Sequence, residues 1–157
     1  MNKKILIALI LVVVVIVSFG GYYAYGEYTS LKYNELLNQS DSAWLSAYND
    51  LNQTNPETKS YETNIQLVKS AMNSTDQAIS LSEQMVQIAP DKATKEYASI
   101  RLDMYKQAKK AEELYLKMFE DIQTSGIFAV LGYVDTMKKE MNSIQKNIET
   151  DNTQLNT

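Results

Sequence analysis

Apolar and polar residues divide this chain into two parts. From Ile5 to Tyr25 it reads ILIALILVVVVIVSFGGYYAY, without a charged residue. Beyond that run, apolar residues recur at alternating steps of three and four. That is the period of one helix face and, when sustained, of a heptad repeat. Short breaks containing proline or glycine separate four such columns. The pattern predicts an all-α chain: an N-terminal transmembrane helix continuing into an antiparallel up-down helical bundle of four long helices with coiled-coil-like packing.

A bilayer core of about 30 Å needs roughly 20 apolar residues in helix, and 5–25 is long enough. In hydrocarbon a single span must satisfy its backbone internally, so helix overrides the β-branched composition of Val12 to Val17. Lys3 and Lys4 flank one end, and Glu27, Lys32 and Glu35 flank the other. The positive-inside bias then predicts a cytoplasmic tail over 1–4 and the bulk of the chain outside. Tyr22, Tyr23, Tyr25 and Tyr28 fall where aromatic rings favour the membrane interface. The rival reading is a cleaved signal peptide, with small residues at Ser18-Phe19-Gly20 and Ala24-Tyr25-Gly26 as candidate sites. The length of the core from Ile5 to Val17 favours an uncleaved signal anchor.

The extracytoplasmic bundle is expected over 27–150, with a flexible tail over 151–157. The first column is Leu37, Trp44, Tyr48 and Leu51, with no proline between Tyr25 and Leu51 to stop the membrane helix from running into it. Asn55 then reads as an N-cap before Pro56 at the first helical position. The second helix is expected from Pro56 to Ala89 on Tyr61, Ile65, Val68, Met72, Thr75, Ile79, Ser82, Val86 and Ala89. After Pro90-Asp91, a third carries Ala93, Tyr97, Ile100, Met104, Ala108, Ala111, Tyr115, Met118 and Ile122, and Gly126 is placed to end it. The fourth carries Val130, Val134, Met137, Met141, Ile144 and Ile148. Turns this short force antiparallel neighbours. The Asn55 and Gly126 turns then lie at a distal tip, roughly 40–50 Å from the membrane by the helical rise.

Charge changes the picture by exclusion. Without Lys3 and Lys4 the chain has 13 basic and 19 acidic residues, a balance of −6. Nucleic acid, which needs clustered cations, is therefore not an expected partner. There is one arginine, Arg101, and the chain has no histidine or cysteine. Zinc sites and ferritin-like Glu-x-x-His pairs are out of reach. No glycine-rich phosphate loop is present. Glu112 and Glu113 point about 100° apart on a helix and, beside Lys109-Lys110, read as a solvated face. Glu113 and Lys117 are spaced for an exposed pair. No catalytic residue, metal or cofactor is expected.

Three N-x-S/T sequons begin at Asn38, Asn52 and Asn73, each following a column residue and so turned off the core. All three are possible N-glycosylation sites, with Asn52, in a turn, the best placed. Tyr33-Asn34-Glu35-Leu36-Leu37 with Ala43-Trp44, after a signal anchor, resembles the start of LemA-type membrane proteins, which are helical. The arginine-rich segment and Leu-Ile-Pro-Asn-Leu run of that family are absent, so no residue role is carried over.

The segment GIFAVLGYV, from Gly126 to Val134, is apolar on every side of its helix. Such a helix is either fully buried or exposes a patch. A partner surface at the tip would use Ile127, Phe128, Leu131 and Tyr133, with Trp44 and Tyr48 supporting from beneath. The expected function is a non-enzymatic interaction or scaffold module at the cell surface. It would be held in the lipid bilayer through 5–25 and would bind an extracytoplasmic protein partner. The alternative is a small-ligand sensor or solute-binding bundle, since ligands can lodge between helices.

Overall fold

A computed structural model of the chain describes the backbone of residues 3–155 and the side chains of 26, 28–144, 146, 147, 150 and 151. It is all-helical, with no strand among the described residues. The helices are α1 (Lys3–Asn52), α2 (Tyr61–Ile88), α3 (Lys92–Ser125), α4 (Ile127–Leu131) and α5 (Val134–Leu155). The expected membrane segment 5–25 is the first part of α1, whose side chains lie outside the described residues. Among the described residues no helix is long and apolar enough to cross a membrane.

The predicted breaks occur, with changes in detail. Asn55 does not start α2. Its side chain accepts from the backbone N–H of Glu57 and Thr58, forming a turn. The α-helix begins five residues after Pro56, where Ser60 takes extended backbone and accepts from Thr63 N–H. Buried Asn64 explains the delay. Its amide donates to the carbonyls of Asn55 and Ser60, and its Oδ1 accepts from Asn55 N–H, stitching the loop onto the helix. At the other end Asp91 and Thr94 form a reciprocal capping box. Asp91→Ala should lower stability by about 1 kcal/mol, as for other lost N-caps, measured by urea unfolding. An unchanged midpoint would mean the start of α3 adds nothing to global stability. Gly126 ends α3 at φ 78°, a left-handed conformation open to glycine.

Pairings across the interfaces run antiparallel. Ser40 faces Ser82 and Ser46 faces Ser74 between α1 and α2, while Thr75 meets Glu112 and Lys69 meets Glu120 between α2 and α3. The predicted up-down order holds for these helices, and the α1 and α3 ends lie at one pole.

The buried faces keep part of the expected columns, with Ile65, Val68, Thr75 and Ser82 on α2 and Met104 and Ala108 on α3 buried as expected, but they are rotated towards smaller residues. On α1 the core face is Tyr33, Leu36, Ser40, Ala43 and Ala47, while Tyr48 is exposed and Leu37 and Trp44 are half-buried. On α2 it is Asn64, Val68, Ala71, Thr75, Ala78, Ser82 and Met85, with Ile65 beside it. On α3 it is Ala98, Arg101, Tyr105, Ala108, Glu112 and Phe119, with Met104 beside it. The physical reason is size. Alanine, serine and threonine let helix backbones approach closely, so α2 lies tight against both α1 and α3. The larger apolar residues then seal the flanks.

The backbones of α1 and α3 stay further apart, and long side chains bridge them. Tyr33 donates from its hydroxyl to Thr94 O at 2.9 Å, and Arg101 and Tyr105 reach across to Asp41 and Ser40. Three apolar layers form along the bundle. Tyr33, Leu36, Met85 and Ala98 make the first, Ala43, Ala78, Met104 and Tyr105 the second, and Ile65, Val68 and Phe119 the third.

The expected fourth long helix is not one helix. Gly132, of low helical propensity, follows α4, and a turn at Gly132-Tyr133 separates it from α5. The part after the turn does not close a four-helix bundle either. Among the described residues α5 packs along α3 and meets α4, but its backbone approaches neither α1 nor α2. Its described apolar face is thin: Ile144 is buried, and Met137 and Met141 are half-buried. One neighbour suffices to cover it.

Candidate functional site

Two places carry chemistry beyond packing: the polar layers inside the three-helix core, and the tip formed by α4.

The first polar layer lies between the first and second apolar layers. The Arg101 guanidinium donates to Asp41 and to the Tyr105 hydroxyl through Nη2, and to Tyr97 OH through Nη1 at 3.3 Å. Ser40 Oγ lies 3.4 Å from both Ser82 Oγ and Tyr105 OH. Tyr105 is fully buried, and Trp44 leans on its ring at a centroid distance of 5.2 Å. Burial works against the charge on Arg101, but Tyr105, Asp41 and Tyr97 more than offset it and hold the guanidinium above its ordinary value. Burial likewise pushes the Tyr105 hydroxyl up. Arg101 therefore stays charged and Tyr105 stays neutral near pH 7.

The second polar layer lies between the second and third apolar layers. Thr75 Oγ1 donates to Glu112 Oε1 at 2.7 Å, and Glu112 is 1% exposed. The expectation that Glu112 belongs to a solvated face is wrong. Its position seven residues before Phe119 and seven after Tyr105 puts it on the buried seam of α3. Glu113 keeps its place on the surface, but Lys117 pairs with Asp121 rather than with Glu113. Among the described residues no cluster of three or more acidic side chains could hold a metal ion.

At the tip, α4 presents Ile127, Phe128 and Leu131 outward, with Phe128 82% exposed. Val130 alone of this short helix is buried. Tyr133 behaves differently from the other three predicted residues. Its hydroxyl donates to Asp121 and Lys117 Nζ sits 4.8 Å over its ring, so it fastens the α4–α5 turn to α3. Asp121 is held below the ordinary carboxylate range, first by its bond to Lys117 and then by Tyr133. Trp44 and Tyr48 do not support this surface from beneath. Trp44 belongs to the middle of the bundle, and α1 does not approach α4.

Asn38, Asn52 and Asn73 are all exposed. Asn38 borders an open groove of about 710 Å3 between α1 and α2, lined also by Gln39, Ser42, Ser46, Ser74 and Gln77. No protein-family model, curated protein or solved structure matches the chain.

Proposed function

We propose that the protein is a membrane-tethered, non-enzymatic interaction module. Residues 5–25 hold it in the bilayer with 1–4 in the cytoplasm, and the helices beyond stand outside the cytoplasm. The working surface is the outer edge of α4, and the partner is a protein that offers a pocket for Phe128. The observation that carries this reading is the exposure of Phe128, flanked by Ile127 and Leu131, on a helix pinned from behind by Tyr133 and Asp121. Apolar side chains exposed together mark contact surfaces more often than isolated ones do, and rigid aromatic anchors dominate the energetics of such contacts. The polar layers support the non-enzymatic reading, since Arg101 and Tyr105 are spent on each other and on Asp41 and Ser40.

The test combines stability with capture. Phe128→Ser should change unfolding free energy by no more than about 0.5 kcal/mol, as for a surface substitution. A photo-crosslinker at position 128 should yield a discrete protein adduct that Ile127→Ser or Leu131→Ser abolishes. The same probe at Leu45, exposed on α1, is the control. Loss of several kcal/mol in Phe128→Ser, or equal adducts at 128 and 45, would defeat the reading. The small-ligand alternative rests on the α1–α2 groove, whose hydroxyls and amides could hold a polar solute. It would be favoured by a metabolite that raises the melting temperature of the wild type but not of Ser42→Leu.

A further inference from the structure

A carboxylate buried in a helical interface needs partners for two oxygens, and Glu112 has a partner for one. Thr75 Oγ1 donates to Oε1 at 2.7 Å, whereas Oε2 is fully buried without a hydrogen-bond partner. An ionised carboxylate would leave that oxygen charged and unpaired, at a cost that grows with burial. A protonated one carries no net charge.

The groups around Glu112 favour the proton. Along α3, Lys109 and Glu113 are its neighbours. From α2, Asp76 takes Lys109 as its own partner at 2.5 Å, so the nearest cation is already engaged by another carboxylate. On α1, the Ser46–Ser74 contact sets the level, and there α1 places fully buried Ala47, with exposed Tyr48 and half-buried Asp50 following it. From α5, Glu140 lines the other face of α3 beside Lys110 and Glu113. Burial above all, then Asp76 and Glu113, push the Glu112 carboxyl up to about 7, while the Thr75 bond and Lys109 pull it down.

We propose that the buried Glu112 carboxyl is a proton-operated latch between α2 and α3, closed when it is protonated and loosened when it ionises, because the charge on its unpartnered oxygen outweighs the stronger bond it then accepts from Thr75. The latch does not depend on what α4 binds. It lies between two apolar layers of the α2–α3 seam, so loosening it weakens the hairpin at that level. Because the folded value lies above the ordinary carboxyl value of 4.5, the fold holds the proton more tightly than the unfolded chain does. The stabilisation is complete below about 4.5 and is lost as pH rises through about 7. The chain has no histidine to mask this response.

The test uses the full chain in a mild detergent and reads amide hydrogen exchange in the centres of α2 and α3, corrected for the intrinsic pH dependence of exchange. Protection of the wild type should fall about tenfold or more between pH 5.5 and 8.5, since each tenfold step matches one pH decade of differential proton binding. Glu112→Gln, which imitates the protonated carboxyl, should hold its protection across that range. Thr75→Val removes the donor that lowers the carboxyl and should move the transition to higher pH. A flat wild-type profile, an equal fall in Glu112→Gln, or an unmoved transition in Thr75→Val would each overturn the latch. If Glu112→Gln does not fold, the wild-type profile and Thr75→Val still decide the matter.

Discussion

Tyr105→Ala is expected to be the most damaging single substitution in the described chain, costing about 3–5 kcal/mol, the range for truncating a buried aromatic. Three features put it there. Tyr105 is fully buried and packs with Ala43, Ala78 and Met104. Its ring fills the gap between α1 and α3, whose backbones remain apart. No small residue nearby can collapse into the space, because Ala43 and Ala78 already lie where α1 and α2 are close. Its hydroxyl adds less. Ser40 keeps Ser82 as a partner, and Arg101 keeps Asp41 and Tyr97. Tyr105→Phe should therefore cost only about 1 kcal/mol, the net worth of an ordinary hydrogen bond. Urea unfolding of the two variants separates the contributions. A loss in Tyr105→Phe as large as in Tyr105→Ala would mean that the hydroxyl network, rather than the ring, holds α1 to α3.

Arg101→Ala is expected to cost about 2–3 kcal/mol, while Arg101→Met stays within about 1 kcal/mol of the wild type. The reasoning follows the two faces of the side chain. Its pairing partner Asp41 has a side chain 53% exposed, so solvent screens the attraction and the ion pair itself contributes little. The side chain is buried, with its guanidinium over the Tyr97 and Tyr105 rings, and alanine would leave a void there along with a Tyr97 hydroxyl short of a donor. Methionine restores the volume and the apolar contact, and the Asp41 carboxylate left behind is solvated, so no buried charge goes unpaired. Asp41→Asn combined with Arg101→Met in a double-mutant cycle reads the pairing alone. A coupling well above 1 kcal/mol would show that the charge, and not the packing, fixes this layer.

The helical class and its punctuation were legible because they rest on local rules. Pro90 stops α2, Asp91 caps α3, and Gly126 takes the one positive φ among the described residues. The rotation of the helices was legible only in part: Ile65, Val68, Thr75 and Ser82 on α2 and Met104 and Ala108 on α3 are buried as the columns placed them, but the face of α1 was not. Reading the largest apolar residues as the core placed Trp44 and Tyr48 inward on α1, yet Ser40, Ala43 and Ala47 face the partner helix. A column of small residues carries almost no hydrophobic signal, and its value appears only when a second small column lies opposite it. Glu112 and Arg101 were hidden for a related reason. A charged residue in a heptad reads as surface until its buried partners, Thr75 for one and Tyr97 and Tyr105 for the other, are known. The turn at Gly132-Tyr133 had a glycine to announce it. What that signal lacked was the anchor twelve residues upstream, Asp121, which gives the Tyr133 hydroxyl its partner.

The one-sided packing of α5 has a consequence for how the molecule comes apart. An element that borrows its burial from a single neighbour can detach without disturbing the other interfaces. The opening of α5 costs the contacts along α3 and the few with α4, whereas α2 cannot leave without breaking two long seams at once. The protein therefore holds a gradient of local stability that falls from the centre of α2 towards the C-terminus. Stretches near the low end of such a gradient exchange their amides and meet proteases while the remainder stays folded. Detachment of α5 would bare the outer flank of α3 from Gln107 to Lys117, leaving a three-helix body still joined by Tyr33, Arg101 and Tyr105.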